Sequence, residues 1–338
     1  MPVQSEIDRT TPVVTADEPV RLSERCLRVR DLTVTATHGR EPVDILRGVS
    51  FYLQRGRTLV LLGESGSGKS MTARAILGLL PASMKVGGQI TLGEEGLLGL
   101  SPKARNSMRG DRIAFIPQDP TGALNPFVRV ARQIVEVLRT HRPEMSRKAA
   151  HARAIELLRM VRIADPERVA KAWPHELSGG MRQRVAIAIA LSCDPEVLIA
   201  DEPTTALDVT VQAQVLDLFR SLLADSDSAL LLITHDVGVA RELGDDIAVM
   251  YAGRIVEKGT GRRVLGHPEH PYTSALLNAV PRATTPRGRL IPIPGQPPLP
   301  GMLTPGCAFA PRCSLADDAC LGEEPGLAPV GGGSSEAA

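Results

Sequence analysis

The chain has 338 residues, enough for one large core and an appendage. Hydrophobic residues make up 43% and charged residues 23%, a globular balance that excludes a fibrous or wholly disordered protein. Thirty-nine basic against 38 acidic residues leave a net charge of +1, and aromatics are 3%, so neither a basic field nor stacking platforms point to nucleic acid.

Residues 1–25 are polar and aperiodic and read as a flexible N-terminal tail; their acids, Glu6, Asp8, Asp17 and Glu18, do not suit a signal peptide. Period-two alternation then predicts strands at Leu27-Arg28-Val29, Leu32-Thr33-Val34 and Val49-Ser50-Phe51-Tyr52-Leu53. Residues 58–62 form a continuous apolar run ending at glycine, the pattern of a buried strand. A helix is expected over 69–80, closed by Pro81, and a longer helical section over 131–163, broken near Pro143. Residues 185–191 read as a further helix, 197–200 and 230–234 as buried strands, and 247–251 with 254–257 as a strand pair. The longest uncharged apolar runs, 185–193 and 229–234, are too short to cross a bilayer, which leads to the expectation of a cytosolic chain. Strands alternating with helices predict an α/β layered core with a parallel sheet. Composition changes after Gly261, and eight prolines between Pro281 and Pro305 exclude regular helix there. A loop-rich extension over 263–326 and a flexible tail over 327–338 are therefore expected, and there is no internal repeat.

Gly63-Glu64-Ser65-Gly66-Ser67-Gly68-Lys69-Ser70 matches the phosphate-binding loop G-x-x-x-x-G-K-[ST], with a buried strand before it and a helix after it. Glycines allow backbone N–H groups to turn inward around phosphates, and the helix start adds positive partial charge. Lys69 would reach the β- and γ-phosphates and Ser70 would ligate Mg²⁺. A second apolar run, 197–200, ends in Asp201-Glu202; Asp201 is a candidate Mg²⁺ ligand and Glu202 a candidate to polarise the attacking water. Ser178 in Leu177-Ser178-Gly179-Gly180-Met181 suits a helix N-cap, and the two glycines leave backbone donors open to an anion.

Together, the phosphate loop, Leu-Ser-Gly-Gly, the apolar run with Asp-Glu and the downstream His235 resemble an ATP-binding-cassette (ABC) ATPase over residues 27–262. Gln118 in Phe115-Ile116-Pro117-Gln118-Asp119-Pro120 occupies the family's Q-loop position, Ala206-Leu207-Asp208 its D-loop, and His235 its switch histidine. The resemblance implies a RecA-like core, a β subdomain and a helical subdomain over about 120–182 within a nucleotide-binding domain spanning 26–262. It also implies two cassettes packed head to tail, so that Ser178 and Gly180 touch the partner's ATP, with Gly179 and Asp208 also among the ATP-binding residues. Gln118 would then sense the γ-phosphate and Mg²⁺, and His235 would hold the γ-phosphate and attacking water. Where the family usually places an adenine-stacking aromatic this chain has Ala36, leaving stacking lost or supplied by His38.

The extension, with His270-Pro271-Tyr272-Thr273, Ile293-Pro294-Gly295-Gln296-Pro297-Pro298 and the 305–313 stretch, resembles that of oligopeptide/dipeptide importer ATPases. In that branch four cysteines can hold a [4Fe–4S] cluster; Cys307, Cys313 and Cys320 match the first three, and no cysteine follows Cys320. His267 and His270 are conceivable replacement ligands, and three thiols simply lining a small fold is the alternative. The resemblance as a whole implies an ATP-hydrolysing, Mg²⁺-dependent subunit at the cytoplasmic face of the membrane. Its partners would be two permeases, a second ABC ATPase and an extracytoplasmic solute-binding protein, with no nucleic acid. An importer of nickel or another small solute is the runner-up. A soluble ABC ATPase acting on DNA or ribosomes fits less well, because this chain has one cassette, neutral charge and no sustained heptads. A non-hydrolytic interaction module is disfavoured by the presence of Lys69, Asp201, Glu202 and His235.

Overall fold

The computed structural model describes residues 13–14, 25–37, 42–205, 207–224, 226–280, 292–303 and 305–329; His38 and Ala206 lie outside them. In chain order the strands are β1 (Val13–Val14), β2 (Arg25–Ala36), β3 (Val43–Gln54), β4 (Thr58–Leu62), β5 (Met84–Leu92), β6 (Glu95–Gly96), β7 (Ile113–Ile116), β8 (Val197–Asp201), β9 (Ala229–Thr234), β10 (Asp246–Tyr251), β11 (Arg254–Thr260) and β12 (Ala328–Pro329). The helices are α1 (Lys69–Leu77), α2 (Pro102–Met108), α3 (Pro120–Ala123), α4 (Val130–His141), α5 (Arg147–Met160), α6 (Pro166–Lys171), α7 (Gly179–Ala190), α8 (Val209–Ala224), α9 (Val237–Leu243), α10 (Gly261–Gly266), α11 (Pro271–Asn278) and α12 (Asp318–Gly322).

The apolar runs at β4, β8 and β9 are buried along their whole length, as expected for parallel strands covered on both faces. They form the middle of a sheet ordered β12-β1-β11-β10-β4-β9-β8-β7, in which β10, β4, β9, β8 and β7 run parallel. Leu62 lies opposite Thr234 and Asp201 opposite Ile233, so the strands end together at one edge of the sheet. At the far edge, Val13–Val14 pairs with Ala328–Pro329 and with β11, so part of each expected tail contributes a short strand.

A second, antiparallel sheet has the order β3-β2-β5-β6. The two short strands expected at 27–29 and 32–34 are one twelve-residue strand, β2. Its pairings shift register around Asp31, whose φ is 46°, so the alternation breaks without ending the strand. Helix α1 stops at Leu77 rather than near Pro81, because Gly78 takes a left-handed conformation (φ 62°) and turns its N–H back to the Ala75 carbonyl. The break expected near Pro143 separates α4 from α5, which restarts where Ser146 Oγ accepts the Ala149 N–H. Helices α4, α5 and α6 pack against one another, and α4 and α5 pack against α7, burying Ile134, Leu138, Leu157, Leu158 and Val169. Strand β5 and helices α8 and α9 are elements beyond those expected from the apolar runs.

The extension is loop-rich but anchored. Tyr251 of β10, Tyr272 of α11 and Phe309 are almost fully buried, with ring centroids 4.6 to 5.3 Å apart. His270, also buried, caps α11 by accepting the Tyr272 N–H on Nδ1 at 3.1 Å. Burial lowers its pKa from 6.5 to about 4. Because the unfolded chain then binds a proton that the fold excludes, the His270 contribution to stability should fall by about 2–3 kcal/mol between pH 7 and pH 4.5. His270→Asn keeps a capping acceptor but removes the titration, and urea midpoints at the two pH values should differ less in that variant than in the parent chain.

Candidate functional site

The loops that follow the aligned ends of β4, β7, β8 and β9 carry most of the residues expected to act together. Beyond β4 the chain turns through Gly63–Gly68 into α1, whose N-cap Gly68 has φ 106°. A side chain there would be strained, and its Cβ would lie 2.7 Å from Leu46 Cδ2. Lys69 is 4% exposed, and its Nζ donates to the carbonyls of Gly63 at 2.8 Å and Glu64 at 2.9 Å. The ammonium thus sits inside the ring of the loop, where an anion entering would meet it. The Ser67 Oγ is buried with no hydrogen-bond partner among the described residues, an orphaned donor aimed into the same loop segment. Ser65 and Gly66 face solvent.

Ser70 and Asp201 are brought together from α1 and β8, with Ser70 Oγ donating to Asp201 Oδ1 at 2.9 Å. Burial raises the Asp201 carboxyl pKa, partly offset by the Ser70 hydroxyl, and lowers that of Lys69, partly offset by Glu202, Asp201 and Glu64. A buried carboxylate beside a hydroxyl, facing a phosphate loop, is a donor set suited to a hard divalent cation such as Mg²⁺. Glu202, the next residue, has φ 47°, a strained conformation costing about 1–3 kcal/mol. It is held there by its N–H donating to the Ile233 carbonyl and by its carbonyl accepting the Thr205 N–H.

That twist points the Glu202 carboxylate toward three partners. Gln118 Nε2 donates to Oε2 at 3.0 Å, Thr205 Oγ1 donates to Oε2 at 3.0 Å, and His235 Nδ1 lies 3.1 Å from Oε1. Burial would raise the Glu202 pKa, but the His235 and Thr205 contacts outweigh it and keep the carboxylate ionised. Gln118 and His235 are themselves exposed, so the cluster opens to solvent on one side. An ionised carboxylate, a histidine and an amide grouped beside a phosphate loop can orient a water against a phosphoryl group. Thr205 was not singled out in the sequence, although it lies only three residues past Glu202.

Ser178, Gly179, Gly180 and Asp208 do not join this cluster. Ser178 Oγ caps α7 by accepting the Met181 N–H at 3.3 Å, and Asp208 Oδ1 accepts the Val211 N–H at 2.9 Å at the start of α8. Ser178, Gly179 and Asp208 are exposed. Ala36, at the end of β2, presents no ring, and His38 is outside the described residues.

The three C-terminal cysteines do not fit a [4Fe–4S] cluster. They are free thiols on one small lobe, with the Cys307 N–H donating to the Cys320 carbonyl at 2.8 Å. Among the described residues, however, no three His, Cys, Asp or Glu side chains gather in a way that could hold a metal ion. Burial raises the Cys307 and Cys313 thiol pKa values, and Cys313 Sγ accepts the Leu315 N–H at 3.3 Å. Nor does His270 replace the missing thiolate, since its Nδ1 is used in capping α11, and His267 is exposed on the neighbouring turn.

Two residues that the sequence did not mark as part of the site reach it from the extension. Arg312 pairs with the Glu64 carboxylate, and the Tyr272 hydroxyl accepts the Glu64 N–H at 2.9 Å. Separations of 248 and 208 residues leave no local signal for either contact.

Residues 46–205 match the ABC transporter family, and residues 256–320 match the oligopeptide/dipeptide transporter C-terminal region. The oligopeptide transport ATP-binding protein OppD of Mycobacterium tuberculosis is 48% identical over 305 residues, covering 90% of this chain and 50% of that protein. The chain therefore spans about half the length of this mycobacterial relative. The oligopeptide transport ATP-binding protein AppD of Bacillus subtilis is 45% identical over 303 residues, covering 89% of this chain and 92% of that protein. Among solved structures, dimeric MJ0796, a bacterial ABC transporter cassette, matches with a TM-score of 0.63 at 30% identity, over 70% of this chain and 99% of that one. The same cassette bound to ADP and Pi in a post-hydrolysis dimer gives a TM-score of 0.62. On these matches and on the fold that carries them, the chain belongs to the ABC transporter family, in the branch that bears the oligopeptide/dipeptide transporter C-terminal region.

Proposed function

We propose that the chain binds and hydrolyses ATP as the energising subunit of a membrane importer for oligopeptides or dipeptides. The observation that carries the hydrolytic part is the convergence of Gln118, Thr205 and His235 on the Glu202 carboxylate, beside the loop that holds Lys69. Gly63, Glu64, Ser65, Gly66, Ser67 and Gly68 would wrap the phosphates with backbone N–H groups. Lys69 would leave the Gly63 and Glu64 carbonyls to meet the β- and γ-phosphates, which offer a stronger, charged acceptor. Ser70, Asp201 and Gln118 would hold Mg²⁺, which when bound neutralises charge on the phosphate oxygens. Glu202, ionised and fixed by its partners, would accept hydrogen from the attacking water, while His235 would hold that water and the γ-phosphate in line.

The exposure of Ser178, Gly179 and Asp208 supports an assembly in which a second cassette completes the site. Ser178, Gly179, Gly180 and Asp208 would then contact ATP seated on the partner's phosphate loop. MJ0796, a relative of similar fold, is described as a dimer. No helix among the described residues is long and apolar enough to cross a membrane, so transport would depend on permease subunits, with the chain bound peripherally at their cytoplasmic side. The peptide assignment, and with it a solute-binding protein outside the membrane, is supported by the extension and by the names of the OppD and AppD relatives. The cysteines carry no part of this reading.

Glu202→Gln should bind ATP with near-parental affinity yet lower its turnover by roughly 10²-fold or more, the scale of a general base; steady-state phosphate release on the assembled transporter measures this, and turnover near the parent's would remove Glu202 from the role. Lys69→Ala should weaken ATP binding at least tenfold, because the buried ammonium is the loop's only side-chain cation in hydrogen-bond contact with its carbonyls. Titration calorimetry giving unchanged affinity would contradict this.

A further inference from the structure

The C-terminal extension grips the phosphate loop at Glu64. Arg312, whose side chain is only 5% exposed, places Nη1 2.6 Å from Glu64 Oε2 and Nη2 3.0 Å from Oε1, a two-pronged contact. The fork is itself fixed: Nε donates to the Pro294 carbonyl at 2.8 Å, Nη1 reaches the Tyr251 hydroxyl at 3.3 Å, and the guanidinium lies over the Tyr251 and Phe309 rings. The backbone of Glu64 is held from the same lobe, since its N–H donates to the Tyr272 hydroxyl. Its carbonyl, finally, is one of the two that receive Lys69 Nζ. One residue of the loop is thus tied to the extension through its carboxylate and its N–H, and to Lys69 through its carbonyl.

We propose that Arg312 is a positioning residue for nucleotide binding, acting through Glu64 to fix the entry of the phosphate loop and to neutralise a carboxylate that would otherwise face the incoming triphosphate. Two physical effects favour this. A loop ordered before binding loses less conformational entropy when it closes on phosphate. A carboxylate held in a two-pronged pair with arginine also projects far less negative field into an anion site than an unpaired one. The extension then acts on nucleotide binding through its contacts with Glu64 of the phosphate loop. The inference rests on the reading of the loop as an ATP site.

The test is a double-mutant cycle on the full chain, reading affinity for a non-hydrolysable ATP analogue with Mg²⁺ by titration calorimetry. Arg312→Gln should weaken binding about tenfold, and Arg312→Lys, which keeps the charge but not the fork, should recover part of the loss. Glu64→Gln should weaken binding severalfold, and the double variant should be no weaker than Arg312→Gln alone, because both changes break one contact. A purely structural role for Arg312 would lower the melting temperature without this coupling in affinity. Parental affinity in Arg312→Gln, or losses that multiply in the double variant, would overturn the proposal. Should Arg312→Gln fail to fold, Arg312→Lys tests the same fork with the charge retained, and parental affinity in that variant overturns the positioning role. If the parent chain itself binds no analogue, the ATP reading falls and the role of Arg312 falls with it.

Discussion

Parallel pairing of β4, β9 and β8 without a register slip is the constraint on which the rest of the structure depends. Leu62 opposite Thr234 and Asp201 opposite Ile233 bring three strand ends to one line, and the chain leaves each into a different functional segment. Ligands in open α/β sheets collect at this edge, because strand ends there leave backbone groups and helix starts directed at a common space. A slip of one residue in β8 would send Asp201 to the opposite face of the sheet and separate it from Ser70. Burial on both faces makes such a slip costly, since every residue of these strands is packed in the core.

Given that alignment, the site is a balance of buried charge. Lys69 is desolvated and answered by Asp201, Glu202 and Glu64, while Asp201 is desolvated and answered by Ser70 and Lys69. Among the described residues neither group forms an ion pair within salt-bridge distance, which leaves both poised for ligands that carry the opposite charge. Glu202 differs: its contacts with His235 and Thr205 outweigh burial and hold it ionised, and its strained backbone sets the direction in which its carboxylate points.

The extension adds a further tie across the molecule. The rings of Tyr251, Tyr272 and Phe309 pack where the cassette meets the extension, and beside them Arg312 is buried while the Glu64 side chain keeps 25% exposure. The two-pronged hydrogen bonding gives the pair its direction, and so its geometry is transmitted to the loop. The cysteines lie on the same lobe as partly buried free thiols, with Cys313 Sγ accepting the Leu315 N–H and the Cys307 N–H donating to the Cys320 carbonyl.

The segments that carry chemistry were legible in the sequence wherever function is written in neighbouring residues. Gly63 to Ser70, Asp201-Glu202 and Ser178 to Gly180 are contiguous because a phosphate loop, a strand end and a helix cap are each built by a few consecutive backbone units. Apolar runs likewise announced β4, β8 and β9. What depends on distant contacts was not legible. Strand β2 continues through Asp31 because β3 and β5 hold it on both sides, and α1 stops early because Gly78 can turn left-handed before Pro81 is reached. His270 and the cysteines suggested metal chemistry by type and spacing, yet burial and capping set their roles. Gln118, Glu202 and His235 were separate motifs in the chain, and only the parallel register placed them within hydrogen-bond reach. The contact of Arg312 with Glu64 joins residues 248 apart, a pairing decided by where the aromatic rings of the extension can be buried.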